Sequence, residues 1–251
     1  MLDRLLERGR KWQYTSKTKI DLEDVGYSNK ITNKAILKIL ENAGARQSET
    51  IHFGLNDMEN VGFSWILLGW KVKILKRPIY NEELTINTWG RDSNRIFTYR
   101  DYEIYDESGK LCAIATSKWA IVDINTGKLR ELTPEIIEKY QCETKKVFEE
   151  DYTLKLKEPV TIIRKQEYKA QRRDIDINKH IHNLYYLDYA YEVLPEEVYE
   201  APECNNIEIM YKKQIRLNDE FKCLYTKEEN QNIVTMKSED ENTLHAIIKL
   251  Y

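Results

Sequence analysis

The chain has 251 residues, 41% apolar and 32% charged, which is enough for a packed core and too much apolar content for a disordered chain. Its 39 Lys and Arg against 42 Asp and Glu leave a net charge of −3, so it is not built for blanket nucleic-acid binding. Cys112, Cys142, Cys204 and Cys223 are widely spread with no CxxC, which argues against a zinc knuckle and for free buried thiols in a reducing compartment.

The N-terminal stretch MLDRLLERGRKWQY carries charges every few residues and has no apolar h-region. The longest apolar run, Val61 to Trp70, is interrupted by Gly62, Ser64 and Gly69 and is too short to span a bilayer. A soluble cytoplasmic protein without a membrane span is expected. Neither GxGxxG nor GxxxxGK[ST] occurs, which argues against a Rossmann dehydrogenase or a P-loop NTPase.

Ile36, Ile39, Leu40 and Ala43 recur at helical spacing and predict a helix over 33–43, capped by Thr32 or Asn29 and stopped by Gly44. Strands follow. Val72 with Ile74, then Leu84 with Ile86, alternate with polar residues. The stretch 96–105 is rich in aromatic and β-branched residues, and 111–122 reads as a long strand between turns at 106–109 and 125–127. Pro134 opens a further helix capped by Thr133. The charged segment 143–158 reads as a linker, which divides the chain into domains 1–145 and 146–251. Beyond it the order repeats: a strand near 160–170, a helix from about Asn183 to Leu194 stopped by Pro195, then strands over 207–215, 220–225, 233–238 and 243–251. KRPIYNEEL from Lys76 aligns without gaps with KQIRLNDEF from Lys213, and Leu111–Ile114 aligns with Leu244–Ile247. The pattern predicts two copies of one helix-plus-sheet unit rather than a solenoid.

The densest polar cluster is RRDIDINKHIHN, residues 172–183, directly before the second long helix. If extended, it places Asp174, Asp176, Asn178, His180 and His182 on one face. A carboxylate, an imidazole tunable near pH 7, and the N–H groups of a helix start are the parts that acyl transfer needs. The same residue types also serve as ordinary caps and loop residues. A metal site from Asp176, His180 and His182 is the weaker reading, since no further ligand set stands out. The five tryptophans, Trp12, Trp65, Trp70, Trp89 and Trp119, all fall in the first half and read mostly as packing.

DIDINKHIHNLYYLDY resembles the signature of the acyl-acyl carrier protein thioesterases, hotdog-fold enzymes that release fatty acids from the carrier. The family pattern is D-x-D-x-N-x-H-V-N-N followed by a central helix. Further likenesses are W-G-R-D at Trp89, SKWAIVDINTGKLREL from Ser117, and IEIMYKKQI from Ile207, the last resembling a late strand I-E-Y-[RK]-[RK]-E-C. The resemblance covers nearly the whole chain. It implies an α+β tandem (double) hotdog, two mostly antiparallel sheets each wrapped around a central helix, with the first half shaping the acyl pocket and the second carrying the catalytic residues.

Residue by residue, the resemblance puts the catalytic roles on Asp176, Asn178 and His180. The late-strand glutamate falls on Gln214 and the cysteine after it on Ile215. Glutamine can hydrogen-bond a water but cannot act as a base, which leaves Asp176 as the one carboxylate of the matched set. Ile36, Leu40, Trp65 and Leu68 are expected to line the acyl chain, with plain core packing as the alternative. Arg164, Lys165, Lys169, Arg172, Arg173 and Lys179 crowd the motif, and Lys212, Lys213 and Arg216 lie on the late segment. Arg172, Arg173, Lys212 and Lys213 are expected to hold an acidic acyl carrier protein and its phosphopantetheine phosphate. No cofactor and no metal are implied, and a homodimer is one assembly open to the chain. Two further functions stay open: a coenzyme A thioesterase or dehydratase of the same fold, and a non-catalytic acyl-thioester-binding protein, the latter because of Gln214.

Overall fold

A computed structural model describes residues 13–91, 93–150, 155–199 and 204–251; Trp12 and most of the N-terminal stretch lie outside it. The chain divides into two compact units, one of Met1–Leu67 with Ile74–Tyr152, the other of Leu68–Lys73 with Thr153–Tyr251.

In the first unit the elements are β1 (Tyr14–Lys19), α1 (Asn33–Thr50), α2 (Met58–Val61), β2 (Phe63–Ile74), β3 (Glu83–Gly90), β4 (Thr98–Tyr105), β5 (Leu111–Asp123), β6 (Leu129–Arg130) and α3 (Pro134–Tyr140). Strands β1, β3, β4 and β5 lie side by side in that order, all antiparallel, with β6 on β5. Helix α1 packs on β1 and β3. Its buried stripe includes Ile36, Leu37, Leu40 and Ala43, and each such Leu or Ile contributes about 1.5–3 kcal/mol by leaving water. Thr32 caps it, with Oγ1 accepting from Ala35 N–H at 3.1 Å, and Thr133 caps α3 in the same way.

The predicted stop at Gly44 is not observed: α1 continues to Thr50. Gly44 is there for space. A Cβ at this position would lie 3.0 Å from the Tyr102 hydroxyl and 3.2 Å from Arg100 Cδ, so the glycine lets β4 side chains pass beneath the helix. The chain leaves the helix at His52, whose φ of 60° is left-handed.

In the second unit the elements are β7 (Arg164–Lys169), α4 (Tyr185–Val193), α5 (Glu196–Tyr199), β8 (Asn206–Tyr211), β9 (Glu220–Glu228), β10 (Gln231–Ser238) and β11 (Leu244–Leu250). The order is β7-β9-β10-β11-β8, again antiparallel, and Leu68–Lys73 of β2 runs against β8 through pairs such as Gly69↔Met210. Helix α4 packs on β9, β11 and β7 and buries Leu187, Ala190 and Val193.

The two units repeat each other in register. Tyr14–Lys19 pair with Thr88–Glu83 as Arg164–Lys169 pair with Tyr225–Glu220. The β4–β5 ladder slips between Ile104↔Ala113 and Tyr105↔Leu111, leaving Cys112 as a bulge. The β10–β11 ladder slips between Met236↔Ala246 and Lys237↔Leu244, leaving His245 in the same place. Asn81 and Asn218 both turn the chain with φ of 70°. The two short sequence alignments therefore mark true structural equivalents.

Trp70 and Trp89 are fully buried, and Trp65 and Trp119 half-buried. All four cysteines are free, but only Cys112 and Cys223 are buried; Cys142 and Cys204 are half-exposed, which corrects the expectation of four buried thiols. Among the described residues no helix is long and apolar enough to cross a membrane.

Candidate active site

The polar segment 172–183 is not extended, so the expected one-face alternation does not exist. Arg172–Asp174 form a single 3-10 turn. Ile175 then bridges Ile181 and closes the base of a tight turn between them. Asp176 N–H donates to His180 O at 2.9 Å and Lys179 N–H to Asp176 O at 3.0 Å. Lys179 sits at φ 65°, a left-handed position that a lysine holds only at a cost. The turn still gathers the three motif residues. Asp176 Oδ1 accepts from the backbone N–H of Asn178 at 2.8 Å and of His180 at 3.4 Å.

Asp174 and His182 leave the candidate set. Asp174 is buried and closes its own turn, accepting from Gln171 N–H at 2.8 Å and from the Tyr189 hydroxyl at 2.6 Å. His182 takes a capping role, its Nδ1 accepting from Leu184 N–H at 3.3 Å. Helix α4 starts two residues later than predicted, at Tyr185. The N–H groups expected to be free at its start are partly consumed: Tyr185 N–H donates to His182 O and Leu187 N–H to Leu184 O. Among the described residues no group of three His, Cys, Asp or Glu is placed to hold a metal ion.

Gln214 lies beyond the end of β8, since the late strand stops at Tyr211 and not at Ile215. The segment after it nevertheless reaches the motif. Ile181 N–H donates to Ile215 O at 2.8 Å, and His180 bridges Arg216. This brings exposed Gln214 to the residue next to that contact. Burial pushes the pKa of half-buried His180 below the ordinary imidazole value, the Asp176 carboxylate pulls it up, and the Arg216 cation pushes it down again. The net lowering favours the neutral imidazole, the form that can accept a proton. Arg216, in the sequence one of several basic residues near the motif, is set beside His180 by that bridge.

Arg172, Arg173, Lys212 and Lys213, the residues expected to hold a carrier, are all exposed. Arg173 keeps a loose contact to Asp174 at 3.7 Å. Three other basic residues near the motif are otherwise engaged: Arg164 donates to Leu194 O, Lys165 pairs with Glu241 at 2.6 Å, and Lys169 faces Glu220 at 3.6 Å. The basic surface is therefore narrower than the sequence suggested. Of the expected chain-lining residues, Ile36 and Leu40 are buried on α1. Trp65 stands edge-on to Phe63 and Tyr140, and Leu68 is half-buried on β2.

The first unit contains the same corner without the polar set. Gly26 N–H donates to Lys30 O at 3.0 Å, Asn29 N–H to Gly26 O at 3.0 Å, Thr32 N–H to Asp24 O at 2.9 Å, and Ile31 N–H to Pro78 O at 2.9 Å. Each bond has its counterpart in the second unit, where His182 N–H donates to Asp174 O at 2.9 Å. Gly26, Ser28 and Lys30 thus stand where Asp176, Asn178 and His180 stand. Arg77 stands where Gln214 does and ties itself down, donating to Ile31 O at 2.8 Å and to Asn33 Oδ1 at 2.6 Å.

A family model of the acyl-ACP thioesterase N-terminal domain matches residues 11–140, more than half of the chain, and one of the acyl-ACP thioesterase C-terminal domain matches residues 157–249. The chain belongs to the acyl-ACP thioesterase family. It is 25% identical over 248 residues to oleoyl-acyl carrier protein thioesterase 2, chloroplastic, of Arabidopsis thaliana, covering 92% of this chain and 67% of that protein. To the oleoyl-acyl carrier protein thioesterase of Coriandrum sativum it is 24% identical over 244 residues, covering 89% and 65%. The chain thus spans about two thirds of the length of these plant relatives. A crystal structure of an acyl-ACP thioesterase from Bacteroides thetaiotaomicron superposes with a TM-score of 0.83 at 23% identity, covering 97% of this chain and 98% of that one. The 12:0-ACP thioesterase from Umbellularia californica does so at 0.81 and 16%, covering 95% and 96%. These likenesses establish the fold as the double hotdog of acyl-ACP thioesterases.

Proposed function

We propose that this member of the acyl-ACP thioesterase family hydrolyses the thioester of fatty acyl-ACP to free fatty acid and carrier thiol, with Asp176, Asn178, His180 and Gln214 as its working residues. The observation that carries this reading is the internal comparison. The first unit builds the same turn, with the same backbone bonds, from Gly26, Ser28 and Lys30. That the first unit builds this turn without a carboxylate, amide or imidazole supports a chemical role for those three groups in the second.

In this reading neutral His180 takes a proton from water as its oxygen attacks the thioester carbonyl. The carbon–sulfur bond then breaks, and His180 returns the proton to the leaving thiolate. Asp176 holds the backbone of Asn178 and His180, and its carboxylate shares the proton transfers with His180. The Asn178 amide is left to donate to the developing oxyanion, since helix α4 spends N–H groups internally. Gln214 orients the water. Ile36, Leu40, Trp65 and Leu68 contact the acyl chain. Arg172, Arg173, Lys212 and Lys213 meet the acidic carrier. Free cysteines agree with a cytoplasmic setting; assembly as a homodimer belongs to the same reading and is checked by sedimentation.

The test is thiol release from acyl-carrier and acyl-coenzyme A thioesters of graded length. Asp176→Asn and His180→Ala should each lower kcat by roughly 10²- to 10⁴-fold, the usual worth of a lost acid–base group, and Gln214→Ala clearly less. In Gln214→Glu a second carboxylate raises one pKa of the pair, so the pH–rate profile should shift. Acyl-thioester binding without turnover in the natural protein, with turnover appearing only in Gln214→Glu, rejects the reading in favour of an acyl-binding protein.

A further inference from the structure

Gln214 is exposed, and its side chain has no hydrogen-bond partner among the described residues. Arg77, its counterpart, fixes itself with two hydrogen bonds. The position of Gln214 must therefore come from its backbone. One flank is fixed by the Ile181 N–H on Ile215 O. The other flank is fixed by a side chain. The imidazole of His245, only 5% exposed, places Nδ1 2.8 Å from Lys213 O. A carbonyl only accepts, so Nδ1 carries the proton and donates. The His245 carbonyl in turn accepts from Lys212 N–H at 2.8 Å.

The β-bulge explains how a strand residue comes to do this. His245 is the extra residue between Leu244 and Ala246, unpaired with β10. A bulge re-aims its side chain out of the regular alternation, here toward the end of β8. The equivalent bulge residue in the first unit, Cys112, accepts through its carbonyl from Leu75 N–H at 2.7 Å and Lys76 N–H at 3.1 Å. Its thiol turns to Lys110 O at 3.5 Å instead. The backbone device is shared, and the imidazole clamp exists only where the equivalent side chain does not hold itself.

We propose that His245 is a positioning residue for the reaction, clamping the Lys213 carbonyl so that Gln214 stays beside the Asp176–His180 turn. This rests on the reading of that turn as the active site. Two substitutions separate the clamp from mere packing. His245→Asn places an N–H donor where Nδ1 is, whereas His245→Gln places one where Nε2 is. His245→Gln should lower kcat about tenfold, comparable to one net hydrogen bond, with KM held within twofold. It should also speed amide hydrogen exchange at Ile181 by about the same factor, since the segment carrying Ile215 loosens. His245→Asn should restore both. Exchange is read without turnover, so the clamp is tested even if the natural protein proves inactive, which would reject only the hydrolytic reading. Unchanged Ile181 exchange in His245→Gln overturns the proposal, as does equal damage in both variants.

Discussion

Burial and two charged groups set the proton affinity of His180: burial lowers it, Asp176 raises it and Arg216 lowers it. Arg216→Gln removes a cation that disfavours the imidazolium. The pKa of His180 should then rise toward the ordinary value, and the acid limb of the kcat/KM profile should move to higher pH. A limb that stays put in Arg216→Gln removes His180 from the proton transfer. At this scale the sequence disclosed which side chains cluster and not how they meet. Asp176, Asn178 and His180 were legible as types at fixed spacing. Their geometry depends on a left-handed Lys179 and on a contact to Ile215, and neither has a local signal. Asp174 and His182 looked equivalent to them only because alternation was assumed where a turn exists.

Among the elements, helices and central strands were read well where apolar periodicity was strong. The miss at β1 has a physical cause: YTSKTK is polar, half of it exposed, and pairs with β3 on one side. Gly44 was misread because a glycine needed for close approach looks the same in sequence as one needed for a left-handed stop. Gly44→Ala should gain up to about 1 kcal/mol of helix propensity. It should lose roughly 1–3 kcal/mol against the buried Tyr102 hydroxyl and Arg100 stem, which have little room to move. The net expectation is a lower melting temperature, and an unchanged or raised one would show that β4 can yield. The segments carrying Arg172 with Arg173, and Lys212 with Lys213, allow a second check. Reversing either pair should weaken turnover of carrier-linked substrate more than of coenzyme A-linked substrate. That difference should shrink as salt rises, because exposed charges are screened beyond about 8–10 Å near physiological ionic strength. Equal loss on both substrates at every salt level would assign these residues to the fold.

Across the whole molecule, the repeat was legible from two short alignments because they fall on the bulge and on the asparagine turn, where the backbone tolerates few residue types. The rest of the repeat was not legible, since matching core positions need only be apolar. The shared corner leads to a further expectation. Asp176→Gly copies Gly26, whose backbone makes the same bonds at the same place. The variant should keep its melting temperature within a few degrees, the scale of about 1 kcal/mol or less, while losing turnover as severely as Asp176→Asn. Loss of folding in Asp176→Gly would mean that the carboxylate supports the second unit in a way that the first does not need.

Asn29 at φ 59° and Lys179 at φ 65° hold one backbone shape with unrelated side chains around them. Ancestry is thus written in the dihedral angles after it has faded from the letters. On the proposed reading, the first unit keeps a second copy of the reaction corner without its carboxylate, amide and imidazole, which offers a ready seat for new chemistry. In laboratory evolution, the residues between Gly26 and Lys30 could be randomised, selecting for a new reaction while the existing one continues elsewhere in the same polypeptide.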